Sequence, residues 1–496
     1  MHLVVSTNGQ EEPTLLWERY HQFAGNDPVL LTEEPNEIFY SPTDDTIYVI
    51  GDQAFQGLFV EALNATTGET LSVTSIVTEA WTGSRSDIAT PYRNPTTQKI
   101  DFVFADGALF TLDGQLLWEK TDYETLIEEQ TVFSSDGSVM FRSNRAAFYD
   151  DEPRSLQAYA TADGSLLWQV NASYSEMLLY QDTRILVGLQ ETNNFDFPTA
   201  MYAVDASSGQ VLEVWESNGD TTFAMISAAP VLSPDGNTVY VFDDGLGLVA
   251  FDPQDITAGP QFTAGLDHDY DRFDNDFSPV LSLDGTVIYG LFDRGLTKFG
   301  QPLLRAVSAA DGRMLGELPD DILWNNENGP RSIQIGPRTG NIYVVRKDYA
   351  YATTPNLDQV LFNLTIDGWS PGGWWPHRFE FNADETIMYV IEKGVGELGS
   401  SRDYIRAYAV PGIDADSSVP TIDTFPKASP MPSNMPSTSP TLAPAVSPVD
   451  GLATASPSLQ PAESDGSPTS SAFVWKESRN GALATALSLL LLLLCT

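Results

Sequence analysis

The chain has 496 residues, 68 of them acidic and 25 basic, for a formal net charge of −43. A body so acidic repels nucleic acid and anionic membrane surfaces, which excludes polyanion binding. Hydrophobic residues at 42% and aromatics at 11% can fill a packed core and exclude wholesale disorder. The only cysteine, Cys495, stands second from the end, so cysteine-ligated zinc and internal disulfides are excluded. His2, His21, His268 and His377 are too few for an imidazole-rich metal centre.

The first residues, Met-His-Leu-Val-Val-Ser-Thr-Asn, lack the basic start and apolar run of a secretory signal, and the true start is expected upstream. Beyond them the chain repeats. A phrase in which a strand ends near Ala, followed six residues later by Gly, recurs at Ala62/Gly68, Ala158/Gly164, Ala203/Gly209 and Ala306/Gly312. The strand after the glycine often carries tryptophan, as in Leu116-Leu117-Trp118 and Leu166-Leu167-Trp168. Glycine supplies the positive-φ turn and the aromatics fill a pleated, half-buried face, so each phrase reads as a hairpin.

A second hairpin precedes it, clearest in Pro230-Val-Leu-Ser-Pro-Asp-Gly-Asn-Thr-Val-Tyr-Val and Pro279-Val-Leu-Ser-Leu-Asp-Gly-Thr-Val-Ile-Tyr. Two hairpins make four strands, and four strands repeating at this interval make a β-propeller blade. Blades are expected near 36–77, 90–121, 130–171, 177–216, 227–264, 277–319, 331–376 and 378–412. The last lacks a fourth strand, and Leu15-Leu16-Trp17-Glu18, which matches Leu116-Leu117-Trp118-Glu119, is expected to supply it and close the ring. The reading is an all-β, eight-bladed propeller of four-stranded antiparallel blades over 1–412, with seven as the reserve count because blades two and seven are irregular.

The Ala-x-Asp-x-x-(Thr/Ser)-Gly-x-x-Leu-x-Trp phrase, clearest at 158–168, 201–215 and 228–252, resembles the repeat of the PQQ propeller family, also called quinoprotein alcohol dehydrogenase-like. The resemblance implies the fold, and it implies two kinds of function: quinone enzymes, and propellers that act as scaffolds. Alcohol-oxidising members hold the quinone between a tryptophan and a ring of two adjacent disulfide-bonded cysteines, with Ca2+ beside it. This chain has no such cysteine pair, and no position matches the catalytic aspartate or calcium ligands. No catalytic residue is assigned, and no cofactor is expected, with Ca2+/PQQ-dependent oxidation of alcohols or sugars as the alternative.

Trp17, Trp118, Trp168 and Trp215 recur in one phrase and are expected to pack one blade against the next. Trp369, Trp374 and Trp375 lie among glycines and prolines and are candidates for stacking on a ligand. Asp267, Asp269, Asp271, Asp274 and Asp276 between blades five and six are candidate Ca2+ ligands, although EF-hand spacing fails at Arg272. Asn64, Asn171 and Asn363 open glycosylation sequons at about chance frequency.

Residues 413–472 are rich in Pro, Ser, Thr and Ala and are expected to form a disordered, extended stalk. Residues 473–496 hold an apolar run with six consecutive leucines, 489–494, shorter than a membrane span. This suits the removable tail of a glycolipid anchor with Ser470 as the attachment residue, or a short membrane segment. The expectation is therefore a non-catalytic, membrane-attached propeller at the cell surface that binds a protein or glycan at one face. An enzyme of another kind, working with channel-mouth carboxylates, is the third reading.

Overall fold

The strands begin and end where local chemistry tells the backbone to reverse. In Ser233-Pro-Asp-Gly236, the Gly236 N–H donates to the Ser233 carbonyl at 2.9 Å, and the Ser233 hydroxyl donates to Asp235 at 2.6 Å. The Thr238 N–H then returns to the Ser233 hydroxyl at 3.0 Å, so one side chain closes the loop from both sides. Gly236 sits at φ +72°, a conformation that costs an L-residue about 1 kcal/mol or more. The same arrangement recurs at Ser134/Asp136 and Ser282/Asp284, where the sequence repeats.

A computed structural model describes residues 13–20, 33–53, 57–77, 89–105, 107–120, 129–144, 155–171, 174–189, 200–216, 230–243, 247–264, 272–273, 279–293, 302–318, 332–345, 349–365, 378–395 and 401–412. Strand β1 (Thr14–Tyr20) is followed by blade 1: β2 (Glu33–Ser41), β3 (Thr46–Gln53), β4 (Gly57–Asn64) and β5 (Thr70–Val77). Blades 2 to 7 occupy 90–119, 129–171, 174–216, 231–264, 272–317 and 332–365, each an antiparallel meander. Blade 8 has three strands of its own, Arg378–Phe381, Ile387–Val395 and Ser401–Ala409, and β1 supplies the fourth. Leu15 lies opposite Tyr408 and Trp17 opposite Ala407, so chain start and chain end share one sheet. The count is eight, as the repeat spacing indicates.

The second hairpin of blades 1, 2, 3, 4, 6 and 7 carries a bulge next to its turn, for example between Ala158 and Tyr159 and between Ala203 and Val204. The extra residue swings the fourth strand and deepens the local twist. In blade 6 the inner strand is broken into Arg272–Phe273 and Val280–Leu281, both paired to the second strand.

The core lies between blades as much as within them. Tyr40 and Phe59 of blade 1 pack with Tyr389, Ile391 and Ile405 of blade 8, and Leu186 and Met201 of blade 4 with Val241 and Phe251 of blade 5. Tyr159, Tyr289, Tyr343, Tyr351 and Tyr389 are among the largest fully buried side chains. Burying such rings against neighbouring blades is the main drive for closure.

A directional bond accompanies this packing. Trp17, Trp118 and Trp168 each donate the indole N–H to a turn carbonyl in the next blade: Ala65 at 3.1 Å, Thr161 at 2.7 Å and Ala206 at 3.0 Å. The expected blade-to-blade role of these tryptophans is thus observed. Each ring lies on the turn glycine three residues after that carbonyl; a Cβ on Gly164 would stand 2.7 Å from Trp118. Blades 5 and 6 lack the tryptophan and reach the same carbonyl differently, with Tyr240 donating to Ala309 at 3.0 Å and Tyr289 to Pro355 at 2.9 Å. Trp215 departs from the pattern: it meets Phe251 edge-on at 4.8 Å, and its joint is held by Arg184 donating to the Pro253 carbonyl at 3.3 Å and by the Ile256 N–H on Glu213 at 3.0 Å.

Candidate functional site on the turn face

A four-strand meander places its first and third turns at one end, so blades 1 to 7 present both turns, and blade 8 its first, on one face of the ring. Those turns are acidic. Asp44, Asp45, Asp113, Asp136, Asp163, Asp182, Asp205, Asp235, Asp252, Asp255, Asp284, Asp311, Asp358 and Asp384 lie in them, and the basic residues among the described turns are Lys99, Arg313 and Arg338.

The carboxylates are held rather than free. Asp205 accepts from the Ser207 and Ser208 hydroxyls at 2.6 and 2.8 Å and from both of their N–H groups. Those hydroxyls hold its carboxyl pKa below the ordinary carboxylate range; the Ser165 hydroxyl and N–H do so for Asp163, and the Ser233 hydroxyl and Asn237 N–H for Asp235. Asp284 is pushed up by burial, but its bonds from Ser282 and Thr286 outweigh that. Asp163, Asp205, Asp235 and Asp284 therefore stay ionised through neutral pH and lose charge, with their bonded turns, only as pH falls through these depressed values.

Two acids reach across blades. The Ser135 N–H of blade 3 donates to Asp182 of blade 4 at 2.8 Å. Glu385 of blade 8 is fully buried and accepts from the Arg338 and Thr339 N–H groups of blade 7 at 3.0 and 2.7 Å, and from the Thr339 and Tyr343 hydroxyls at 2.6 Å each. Its own φ is +61°, at the place where Gly236 and Gly285 stand in their blades. A Cβ on Gly336 would lie 2.1 Å from its carboxylate, so the close approach requires glycine there.

Around the axis, first strands of neighbouring blades touch, and side chains bridge their edges. Gln334 donates to the Phe379 carbonyl at 2.9 Å and Arg93 to the Tyr40 carbonyl at 3.0 Å. Glu380 occupies the place in blade 8 that Gln334 has in blade 7. Burial pushes its carboxyl up to about 7, against the opposing pull of Arg93 and a bond from the Tyr40 backbone.

Of the residues expected from sequence to form sites, Asn64 closes its own turn, accepting from the Thr66 and Thr67 N–H groups at 3.1 and 2.9 Å. Asn363 is exposed on the outermost strand of blade 7, and Asn171 ends the outermost strand of blade 3. Asp267, Asp269, Asp271, Asp274 and Asp276 lie outside the described residues, although Arg272–Phe273 among them is an inner strand of blade 6, so the segment is more than a linker. Trp369, Trp374, Trp375 and Ser470 also lie outside the described residues. Among the described residues no three His, Cys, Asp or Glu side chains gather as a metal group, and no helix is long and apolar enough to cross a membrane. The turn acids were readable in the repeated Ser-x-Asp-Gly phrase; Glu380 was not, because its shift depends on how neighbouring blades pack around it.

Residues 56–257 match the family model described as "Outer membrane protein assembly factor BamB". Over that stretch the chain is similar to PQQ-repeat propellers. The eight-bladed ring is similar in fold to two solved structures. One is Sqt1 of Saccharomyces cerevisiae, at 11% identity and a TM-score of 0.53, covering 81% of this chain and 100% of that one. The other is a europium-containing methanol dehydrogenase, at 10% identity and a TM-score of 0.51, covering 76% and 93%. No curated protein matches the sequence.

Proposed function

We propose that this propeller is a non-catalytic binding module whose turn face takes the basic surface of a protein partner. The observation that carries the reading is the array of turn aspartates, among them Asp136, Asp205, Asp235 and Asp284, which are tied to their own loops by hydroxyl donors. A charge array already fixed in place gives up little conformational entropy when a partner docks, and opposite charge speeds encounter and sets orientation. The overall charge of −43 acts in the same direction. Attachment to a cell surface, through the stalk and the apolar C-terminal run, is part of the same proposal and rests on those segments of the sequence alone.

The test neutralises charge without removing the turns. Asparagine keeps an acceptor oxygen, so Asp136→Asn, Asp163→Asn, Asp235→Asn and Asp311→Asn together leave the loops closed. Cross-linking of the wild-type and neutralised proteins on intact cells, followed by mass spectrometry, should show a partner held by the first and lost by the second. Equal capture by both would sink the turn-face reading. Turnover of alcohols or sugars with added PQQ and Ca2+ would replace it with quinoprotein chemistry.

A further inference from the structure

We propose that β1 is a releasable strand: it can leave blade 8 while the joint between blades 8 and 1 stays closed, because Tyr389 then takes over the Ala65 carbonyl that Trp17 holds in the docked state. The proposal does not depend on the turn-face reading, since it concerns the joint that closes the ring. Among the described strands β1 is the one fourth strand that does not continue its own blade, and it pairs from Thr14 opposite Ala409 to Tyr20 opposite Tyr404. Its Trp17 donates the indole N–H to Ala65 of blade 1 at 3.1 Å.

The second-strand residue in line with this tryptophan tracks which side chain bonds the next blade. In blades 2 and 3, where Trp118 and Trp168 donate, it is phenylalanine: Phe104 and Phe141, aligned through Leu109 and Ala158 of the third strand. In blades 5 and 6, which have no such tryptophan, it is tyrosine, and Tyr240 and Tyr289 donate to the equivalent carbonyls of Ala309 and Pro355. Blade 8 has both. Tyr389 lies opposite Ala407, as Trp17 does on the other side. The two rings meet at 6.0 Å and 38°, the geometry of Phe141 on Trp168 at 6.0 Å and 39°.

The Tyr389 hydroxyl is thus a second donor for a carbonyl that is already taken. Its side chain is fully buried in one cluster with Ala65 and Tyr40, with Trp17 packed against it, and its oxygen has no hydrogen-bond partner among the described residues. A buried hydroxyl in that condition destabilises the docked state and would be satisfied once Trp17 withdrew. Burial first, and the nearby Asp45 and Asp384 carboxylates after it, raise its pKa, so it stays protonated and able to donate.

The other groups that β1 bonds through its side chains also have second partners. Arg406, which meets Glu18 at 3.2 Å, also meets the buried Glu392 and lies 4.7 Å over the Tyr404 ring. Glu61, which meets Arg19 at 3.1 Å, also accepts from the Thr70 hydroxyl at 2.8 Å. Departure of β1 therefore strands none of the three. Glu18 and Arg19 are 50% and 43% exposed, and Leu15 and Leu16 45% and 46%, so these four side chains hold the strand only weakly. The main-chain ladder and the Trp17 ring, which lies on Gly68, keep the docked state dominant.

Hydrogen exchange of the full chain reads the release. Amides of 14–20 should exchange at least about tenfold faster than those of 166–171, the fourth strand of blade 3, through an opening confined to β1. Tyr389→Phe should slow that exchange about fivefold, because only the released state loses a hydrogen bond, and should leave the melting temperature equal or higher. In denaturant titration Trp168→Phe, which has Phe141 beside it, should shift the unfolding equilibrium about fivefold; Trp17→Phe should shift it less, and the Trp17→Phe, Tyr389→Phe double variant as much as Trp168→Phe. Unchanged exchange of 14–20 in Tyr389→Phe would overturn the proposal. So would a lower melting temperature in that variant, because the hydroxyl would then be bonded while β1 is docked. Exchange of 14–20 and 166–171 at one rate would do the same, since β1 would leave only when the whole ring unfolds.

Discussion

Replacing Glu385 by the residue its turn position usually holds, glycine, should destabilise the protein. The repeat places glycine at Gly137, Gly236 and Gly285, and Glu385 pays a backbone cost at φ +61° that Glu385→Gly would relieve, about 1 kcal/mol. Against that, the substitution strips acceptors from the Arg338 and Thr339 N–H groups and from two hydroxyls at the joint between blades 7 and 8. Each buried donor left without a partner costs about 1–3 kcal/mol, so the two amides alone outweigh the relief and a net loss of about 3 kcal/mol follows. Glu385→Gln should fall between: its oxygen can keep the two amides while its NH2 meets hydroxyls able to accept, and the loss is that of charge assistance, about 1–2 kcal/mol. With about 400 residues unfolding together at roughly 2.1 cal/mol/K each, 3 kcal/mol corresponds to about 4 °C. Calorimetry of the three proteins should rank them Glu, Gln, Gly. A glycine variant as stable as the wild type would show that water satisfies the joint equally well.

Two further substitutions separate conformation from packing, and charge from burial. Gly164→Ala and Gly236→Ala carry nearly the same φ penalty, +68° against +72°, but only the first new methyl would meet a ring, Trp118, while the second meets nothing within 4 Å. Gly164→Ala should therefore lose about 1–3 kcal/mol more in denaturant titration and shift tryptophan emission; equal losses would refute the docking role. Glu380→Gln tests the axial carboxyl, whose folded value of about 7 lies above the unfolded one of about 4.3. The folded state binds the extra proton between these values, so the native carboxylate loses stability as pH rises through that window and carries the full penalty above it. The variant should melt with the wild type near pH 4 and above it at pH 8, by on the order of 1–3 kcal/mol; parallel curves would place Glu380 in ordinary solvent.

The blade joints show why so loose a repeat closes into one ring. The same turn carbonyl receives an indole N–H from Trp118 and a phenol O–H from Tyr240, though one lies on a fourth strand and the other on a second. What the joint requires is a donor and a flat apolar body over the turn, and either side chain meets both needs.

Blade count, strand order and closure were legible in the sequence because each follows from short-range chemistry: Asp-Gly turns reverse the chain, alternating residues choose a face, and a spare Leu-Leu-Trp strand at one end matches a missing strand at the other. The docking tryptophans were legible for the same reason, since they recur at one place in the phrase. Tertiary structure alone decided the rest. That Glu385 replaces a turn glycine to bind blade 7, that Tyr240 substitutes for an indole and that burial raises the Glu380 carboxyl all depend on neighbouring blades. Burial and electrostatics are set by atoms brought together across the ring, and a linear pattern records the spacing within a blade but not what the next blade places against it.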